Sequence, residues 1–171
     1  MHGRLHVGRV MIYGFMLIAA TGMSEFEVPL WAAAYLHDLS RQHDGYCEEH
    51  GGWAYQKFLA SPVIKDTFVR GGLRQEHLPS VKTAVTHHCF RAELDGAHPH
   101  YRLTSLLKDA DALDRIRLGD LDPSYLRNSE TLQLIRFAET LYYNSDDEYE
   151  NSDPALMPKL WDTAQSILAD K

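Results

Sequence analysis

The spacing of apolar residues along the chain is helical almost throughout. Apolar positions recur three or four residues apart, and no run of alternating apolar and polar residues is long enough for a convincing sheet. The pattern therefore predicts an all-α protein folded as a compact helical bundle. The expected helices cover residues 5–21, 28–40, 53–60, 63–70, 80–89, 105–118, 131–143 and 154–169.

Polar residues near the helix starts refine these boundaries. Thr104 is expected to cap the helix at 105–118, and Ser129 is expected to start the helix at 131–143. Segment 91–101 contains turn residues without a helical period, so we expect a loop between two helices that carry candidate ligands. The acidic segment 144–153 is expected to be a solvated loop.

The size and charge of the chain narrow the class of function. With 171 residues, 44% of them hydrophobic, the chain matches one globular domain, so a single domain over 1–171 is expected. Seventeen basic against twenty-four acidic residues give a net charge of −7, which repels duplex nucleic acid. A small anionic substrate would then require a metal ion or a few convergent Arg and Lys side chains.

The cysteines and the apolar N-terminal segment indicate the compartment. Cys47 and Cys89 show no CxxC spacing, so neither a disulfide framework nor a cysteine-rich zinc site is indicated, and a reducing cytoplasm is expected. The apolar segment 10–20 is too short to span a bilayer, so no membrane association is expected. The alternative interpretation of this segment as part of a signal peptide stays open, as does the choice between monomer and homodimer.

The pair His37-Asp38 is the first candidate for metal chemistry. Such a dipeptide is expected about once by chance in a chain with ten histidines, so its context has to decide. It stands late in an apolar helical run, where two adjacent polar side chains would be costly to bury without partners. A bound metal ion would satisfy both side chains.

Three further candidates fall on helix faces that the pattern predicts to be buried. Asp111 follows Leu107 by four residues, His88 follows Val85 by three, and His6 precedes Val10 by four. Taken singly, each is more simply a hydrogen-bonded or exposed residue. Together they supply the nitrogen and oxygen donors that a divalent transition metal prefers.

Three longer motifs occur in order along the chain. They are HGRLHVGRV, AAAYLHDLSRQHDGYCEEHG and DADALDRIR. They resemble the HGxxHxxRV, HDxxRxxDGxxxxHG and DADxLDxxR motifs of a bacterial subgroup of the HD superfamily of metal-dependent phosphohydrolases. The resemblance covers nearly the whole chain and implies that residues 1–171 form a single HD domain.

The resemblance implies a helical enzyme that hydrolyses phosphate esters, often of nucleotides. The implied metal ligands are His6, His37, Asp38 and Asp111, with Asp111 favoured over Asp109 by its place in the motif. The ion would be Mn, Fe, Co, Ni, Zn or Mg, and one or two ions are both compatible with the pattern. Such an ion would activate a water molecule and polarise a phosphoryl oxygen.

The remaining roles rest on the same resemblance and on charge. Asp38 is expected to orient the water, and His50 and His88 match positions that bind a second metal or contact phosphate. The expected catalytic residues are Asp38, His50 and Arg41, and the expected substrate-binding residues are Arg41, His88 and Lys108. For Arg41, Lys108, Arg115 and Arg117, an ion-pairing role is an equally good interpretation.

Two other functions remain open at this point. HD-fold proteins also resemble di-iron oxygenases, and a non-catalytic nucleotide sensor would keep the fold without turnover. Five histidines and three tryptophans are left out of the ligand set. His2 lies too near the terminus, the other four histidines are expected to be solvated, although His98 and His100 could still border the pocket from their loop, and the tryptophans are expected to fill helix contacts. These residues are His2, His43, His77, His98, His100, Trp31, Trp53 and Trp161.

Overall fold

The computed structural model describes residues 3–43, 45–145 and 149–169, and within these ranges the chain is built from helices and turns. The all-α prediction is confirmed. Five short 3-10 segments also occur, at Ser24–Phe26, Gln75–His77, Asp114–Leu118, Pro123–Tyr125 and Ser129–Leu134. The α-helices are α1 Arg4–Thr21, α2 Glu27–Leu36, α3 His50–Ala60, α4 Pro62–Arg70, α5 Leu78–His87, α6 Tyr101–Leu113, α7 Ile135–Tyr143 and α8 Leu156–Ala169.

Helix α1 lies at the centre of the bundle. It contacts α2, α6 and α8, while α5 contacts α2, α3 and α6. Tyr13 and Leu17 of α1 are fully buried, and the Tyr13 hydroxyl donates a hydrogen bond to the carbonyl of Ala138. The run 32–34 in α2 consists of buried alanines, whose small side chains allow neighbouring helices to approach closely. The ends of five helices, α1, α2, α3, α5 and α6, meet in one region of the bundle.

Helix α2 ends earlier than the sequence pattern indicated. It was expected to reach residue 40, but it ends at Leu36 and is followed by a turn. The His37 amide still donates to the Ala33 carbonyl, whereas the Leu39 amide donates to Leu36, three residues back. This tighter bonding places His37 and Asp38 just beyond the helix rather than within it.

The predicted start of α6 is wrong. Helix α6 begins at Tyr101, so Thr104 lies inside the helix and its hydroxyl donates to the carbonyl of His100. Thr104 is therefore not a cap. The α-helical hydrogen bonding also stops at Leu113, and residues 114–118 continue as a 3-10 segment instead of completing an α-helix.

Other helix boundaries shift by a few residues. Helix α3 starts at His50 rather than at 53, and α5 runs from Leu78 to His87 rather than from 80 to 89. Ser129 starts a 3-10 segment, and α7 follows only from Ile135. Helix α8 begins at Leu156, two residues later than expected.

Parts of the predicted motifs and loops fall outside the described residues. These are His2 of the first motif, Asp44 of the second, and residues 146–148 of the predicted acidic loop. Among the described helices, none has both the length and the apolar character that crossing a membrane requires.

Candidate metal centre

Four polar side chains from three helices converge at one end of the bundle. His6 lies in the first turn of α1, His37 and Asp38 directly follow α2, and Asp111 lies in the last turn of α6. His6 Nε2 is 3.1 Å from His37 Nε2, 3.5 Å from Asp38 Oδ2 and 3.4 Å from Asp111 Oδ1. His37 Nε2 is 3.7 Å from each of the same two carboxylate oxygens. The structure thus brings together the four residues that the sequence singled out as ligands.

These spacings fit ligands of a single ion. Two atoms that bind one ion at about 2.1 Å lie roughly 3.0–3.4 Å apart, depending on the angle between the bonds. Five of the six separations among the four donors are 3.1–3.7 Å, at or slightly above that range. Imidazole nitrogens combined with carboxylate oxygens are typical donors for divalent ions such as Zn, Fe, Co, Ni and Mn. We call His6, His37, Asp38 and Asp111 the primary cluster.

The outer nitrogens of the two imidazoles show which way their lone pairs point. His37 Nδ1 lies 2.7 Å from the Ala34 carbonyl, which only accepts, so this nitrogen carries the hydrogen. His6 Nδ1 lies 2.7 Å from Asp114 Oδ2 and donates in the same way. In the neutral rings, both Nε2 atoms would then present lone pairs to each other. A cation or a proton between them removes this repulsion.

Asp114 supports His6 from behind the primary cluster. Its carboxylate is 1% exposed and also accepts from Arg9, with 2.6 Å between Arg9 Nε and Asp114 Oδ1. Arg117 Nε lies 3.3 Å from Asp114 Oδ2. A carboxylate that orients a ligating imidazole is the usual outer partner of a metal-binding histidine.

The electrostatics of the primary cluster favour one positive charge within it. Burial lowers the pKa of His6, but hydrogen bonds to Asp114 and Asp38 outweigh burial and raise the pKa to about 9. Burial lowers the pKa of His37 to about 4. Burial also opposes ionisation of Asp111, yet the attraction of His37 and His6 holds its pKa below the usual value. The two carboxylates therefore stabilise a cation placed among these side chains.

A second group of donors adjoins the first. His50 is the first residue of α3 and His88 directly follows α5, and their Nε2 atoms lie 2.9 Å apart. Asp38 Oδ1 is 3.1 Å from His50 Nε2 and 3.7 Å from His88 Nε2. Each imidazole donates from Nδ1 to a backbone carbonyl at 2.7 Å, that of Cys47 or Val85. Asp38 therefore lies between two pairs of imidazole Nε2 atoms, those of His6 and His37 and those of His50 and His88.

Cys89 is a member of this second group that sequence reasoning missed. A donor atom from each of Cys89, His50 and His88 lies within 4.8 Å of the other two. The thiol donates to the Glu48 carbonyl at 3.1 Å, and burial raises its pKa. The position of Cys89 directly after His88 was the only available signal, since the sequence offers no second cysteine at a metal-binding spacing.

A glycine makes the approach of α3 to α5 possible. A Cβ atom built on Gly51 would lie 2.0 Å from the carbonyl oxygen of Val85, which belongs to the α5 backbone and has little room to move. Any larger residue at position 51 would push the two helices apart. Gly51 therefore sets the distance between His50 and His88.

The two predicted cations occupy different surroundings. Arg41 Nη1 lies 3.5 Å from Asp38 Oδ1, and Arg41 Nε donates to the carbonyl of His43. Lys108 is almost buried and donates to the Phe90 carbonyl and to Glu93, both at 2.9 Å. Arg41 thus borders the primary cluster, whereas Lys108 already has an anionic partner.

Asp109 and Asp111 lie two residues apart, but their carboxylates have different partners. Asp109 is fully buried and accepts from the backbone amides of Arg127 and Asn128 and from the hydroxyl of Thr131. The Asp109 carboxylate thereby joins residues 127–131 to α6. The side chain of Asp111 is a third exposed and faces the primary cluster.

The other histidines, arginines and tryptophans of the sequence analysis lie outside the primary cluster. His43, His77, His98 and His100 are exposed or half-buried. Arg115 pairs with Asp120 at the surface, but Arg117 reaches the buried Asp114 instead of an acidic loop. Trp31 packs against the ring of Phe68, as expected of a helix contact, whereas Trp53 is 45% exposed and Trp161, which contacts the ring of Phe15, is 42% exposed.

A cavity of about 620 Å³ opens beside the primary cluster. His88 and Asp111 form part of its wall, so the cavity and the metal-ligand candidates share a boundary. Its volume lies within the range of about 300–1,000 Å³ that small-molecule sites occupy. Sequence reasoning missed several lining residues because they belong to segments without a motif, namely Arg91, Glu93, Tyr125 and Arg127.

Comparison of the chain with family models, with curated proteins and with solved structures found no match.

Proposed function

We propose that this protein is a divalent-metal-dependent phosphohydrolase that cleaves a phosphate ester of a nucleotide or a similar small phosphorylated metabolite. The observation that carries the proposal is the 3.1–3.7 Å spacing of two imidazoles and two carboxylates beside a cavity of about 620 Å³. In this proposal His6, His37, Asp38 and Asp111 hold the ion.

The ion, when bound, would lower the pKa of a water molecule and polarise a phosphoryl oxygen. Asp38 is suited to orient the attacking water, because one of its oxygens lies 3.5 Å from His6 Nε2 and the other 3.1 Å from His50 Nε2. His50 holds Asp38 in this position. Arg41 lies beside the same carboxylate and offers a guanidinium to the phosphoryl oxygens.

The cavity supports a small substrate over a polymer. A phosphoryl group that reaches Asp111 and His88 leaves the rest of its molecule within the cavity, where Lys108 lines the wall. The net charge of −7 argues against a duplex nucleic acid. We also propose a cytoplasmic location, since Cys47 and Cys89 are both free thiols.

The test is a phosphate-release screen. Nucleoside mono-, di- and triphosphates and sugar phosphates are incubated with the protein and Mn²⁺, Co²⁺, Ni²⁺, Fe²⁺, Zn²⁺ or Mg²⁺, with a chelator as the metal-free control. We expect metal-dependent phosphate release that Asp38→Ala reduces at least roughly 100-fold. Asp66→Ala is the matched control, because Asp66 is exposed on α4 and its carboxylate pairs with the exposed Arg70. Equal activity of the Asp38 variant and the control would contradict the proposal.

A second candidate function has one observation in its favour. The group formed by His50, His88 and Asp38 Oδ1 adjoins the primary cluster, and two adjacent ions are what a di-iron oxygenase requires. Oxygen consumption by the iron-loaded protein without phosphate release would favour this candidate. Nucleotide binding without either reaction would instead favour a non-catalytic sensor.

A further inference from the structure

The cavity beside the primary cluster contains a balanced set of charges. Its cationic lining residues are Arg91, Lys108, Arg115 and Arg127, and its anionic ones are Glu93, Asp111, Asp120 and Asp122. The four positive and four negative side chains cancel, so apart from an ion bound at Asp111 the wall carries no net charge that would attract further phosphates.

Glu93 already forms ion pairs with two of these cations, Lys108 and Arg127. Its Oε1 accepts from Lys108 Nζ at 2.9 Å and from Arg127 Nη2 at 2.7 Å, and its Oε2 accepts from Arg127 Nε at 2.9 Å. This two-pronged contact with a guanidinium is how proteins bind carboxylate and phosphate groups of ligands. Glu93 therefore takes the place that a second anionic group of a ligand would need.

The other two cations of the cavity differ from each other. Arg115 forms an ion pair with Asp120. Arg91 stacks over the Tyr46 ring, with 4.5 Å from its guanidinium carbon to the ring centroid, and among the described residues no ion pair links it to a carboxylate. Besides the primary cluster, the cavity wall thus offers one cation that is not paired with an acid.

We propose that the cavity admits ligands with a single phosphoryl group, and that Glu93 sets this limit by holding Lys108 and Arg127. The inference rests on the proposed function, because it places the phosphoryl group at the primary cluster. A second or third phosphate would meet the carboxylates of Glu93, Asp120 and Asp122, while ion pairs with acids already hold three of the four cations of the wall, namely Lys108, Arg127 and Arg115. The remainder of the ligand lies against Phe90 and Tyr125, which suits the base of a nucleoside monophosphate or the ring of a sugar phosphate.

The test compares ligands that differ only in the number of phosphates. AMP, ADP and ATP form one series, and fructose 6-phosphate and fructose 1,6-bisphosphate form a second. We expect kcat/KM for the monophosphate to exceed that for the other members of its series by about 10-fold or more. Glu93→Gln should reduce this preference about 10-fold, because it frees Lys108 and the Nε and Nη2 atoms of Arg127 for a second phosphate, while Arg127 Nη1 stays paired with Asp109. Glu76→Gln, at a residue that is 68% exposed in its side chain, is the matched control and should leave the preference unchanged.

Binding separates failure of the inference from failure of the proposed function. If no compound releases phosphate, the proposed function fails, and the same ligands are compared by calorimetric titration of the Mn²⁺-loaded protein. Tighter binding of the monophosphates would still support the inference, provided that Glu93→Gln reduces this selectivity. Equal or tighter binding of the di- and triphosphates, an unchanged preference in the Glu93 variant, or no binding in either series would overturn it.

Discussion

His6 and Asp114 are joined by a hydrogen bond of 2.7 Å on the side of the imidazole that faces away from the primary cluster. The bond fixes the ring so that Nε2 points at His37, Asp38 and Asp111. Asp114 lies three residues after Asp111, so a single segment carries both a candidate ligand and the residue that orients another ligand.

Substitution of Asp114 is expected to weaken metal binding although the side chain touches no ion. Asp114→Asn removes the negative charge that faces both His6 and Arg9, so metal affinity should fall about 10–100-fold. The free energy of unfolding should also fall by about 3–5 kcal/mol, because the substitution breaks the buried ion pair between Arg9 and Asp114. Titration calorimetry with Mn²⁺ and urea denaturation measure the two effects. Asp162→Asn, at an exposed position of α8, should change neither; wild-type affinity in Asp114→Asn would contradict the role.

Substitutions of Asp109 and Asp111 should affect stability and metal binding separately. Asp111→Asn should abolish metal binding with little change in the melting temperature, because the Asp111 side chain is a third exposed and belongs to the primary cluster. Asp109→Asn should lower the free energy of unfolding by about 3 kcal/mol or more, since several donors lose a charged acceptor. The folded fraction of the Asp109 variant should still bind metal. The reverse pattern would mean that the two acids have been assigned the wrong way round.

Two neighbouring glycines of α3 provide a matched pair for the geometry of the second group. Gly51→Ala should destabilise the protein, because the new Cβ would lie 2.0 Å from the Val85 carbonyl oxygen. Gly52→Ala meets no atom within 4 Å and should stabilise α3 by about 0.5–1 kcal/mol. Thermal unfolding of both variants checks the prediction. If both substitutions had the same sign of effect, the close approach of α3 and α5 would not control this region.

The ion pairs of Glu93 predict a dependence of stability on pH. Hydrogen bonds from Arg127, followed by those from Lys108, lower the pKa of Glu93 from 4.5 to about 2 despite burial. Because folding lowers this pKa, the stabilisation is fully present above pH 4.5 and is lost as the pH falls towards 2. Glu93→Gln should therefore lower the melting temperature at pH 7 and have a progressively smaller effect between pH 4.5 and pH 3. A difference that stays constant over this range would contradict the assignment.

The sequence pattern predicted the helical class and picked out the residues of the primary cluster. It did not predict the contacts that hold these side chains in position. Helical spacing reveals buried faces, so His6 and Asp111 could be placed on them from their distances to Val10 and Leu107. Asp114 was part of the third motif, but its contact with His6 joins residues 108 positions apart, and no local pattern reports such a contact.

The errors in helix boundaries occur where local hydrogen bonds differ from those that the sequence pattern indicates. Thr104 resembles a cap, yet its hydroxyl bonds back to His100 inside the helix, an alternative that Thr also satisfies. The expected extension of α2 to residue 40 failed because hydrogen bonds to the third preceding residue replace α-helical ones after His37. Loop residues of the cavity such as Glu93 and Arg127 could not be found, since their pairing depends on tertiary contacts across 34 positions.

The central claim is that His6, His37, Asp38 and Asp111 bind a divalent ion, and the most direct test is the metal content of the protein. The purified protein is loaded with Mn²⁺ or Zn²⁺, dialysed, and analysed by mass spectrometry for metal per chain, beside Asp38→Asn and the exposed control Asp66→Asn. We predict at least one ion per chain in the wild type and in the control, and less than about a tenth of that amount in Asp38→Asn. The same metal content in all three proteins, or none in the wild type, would contradict the account.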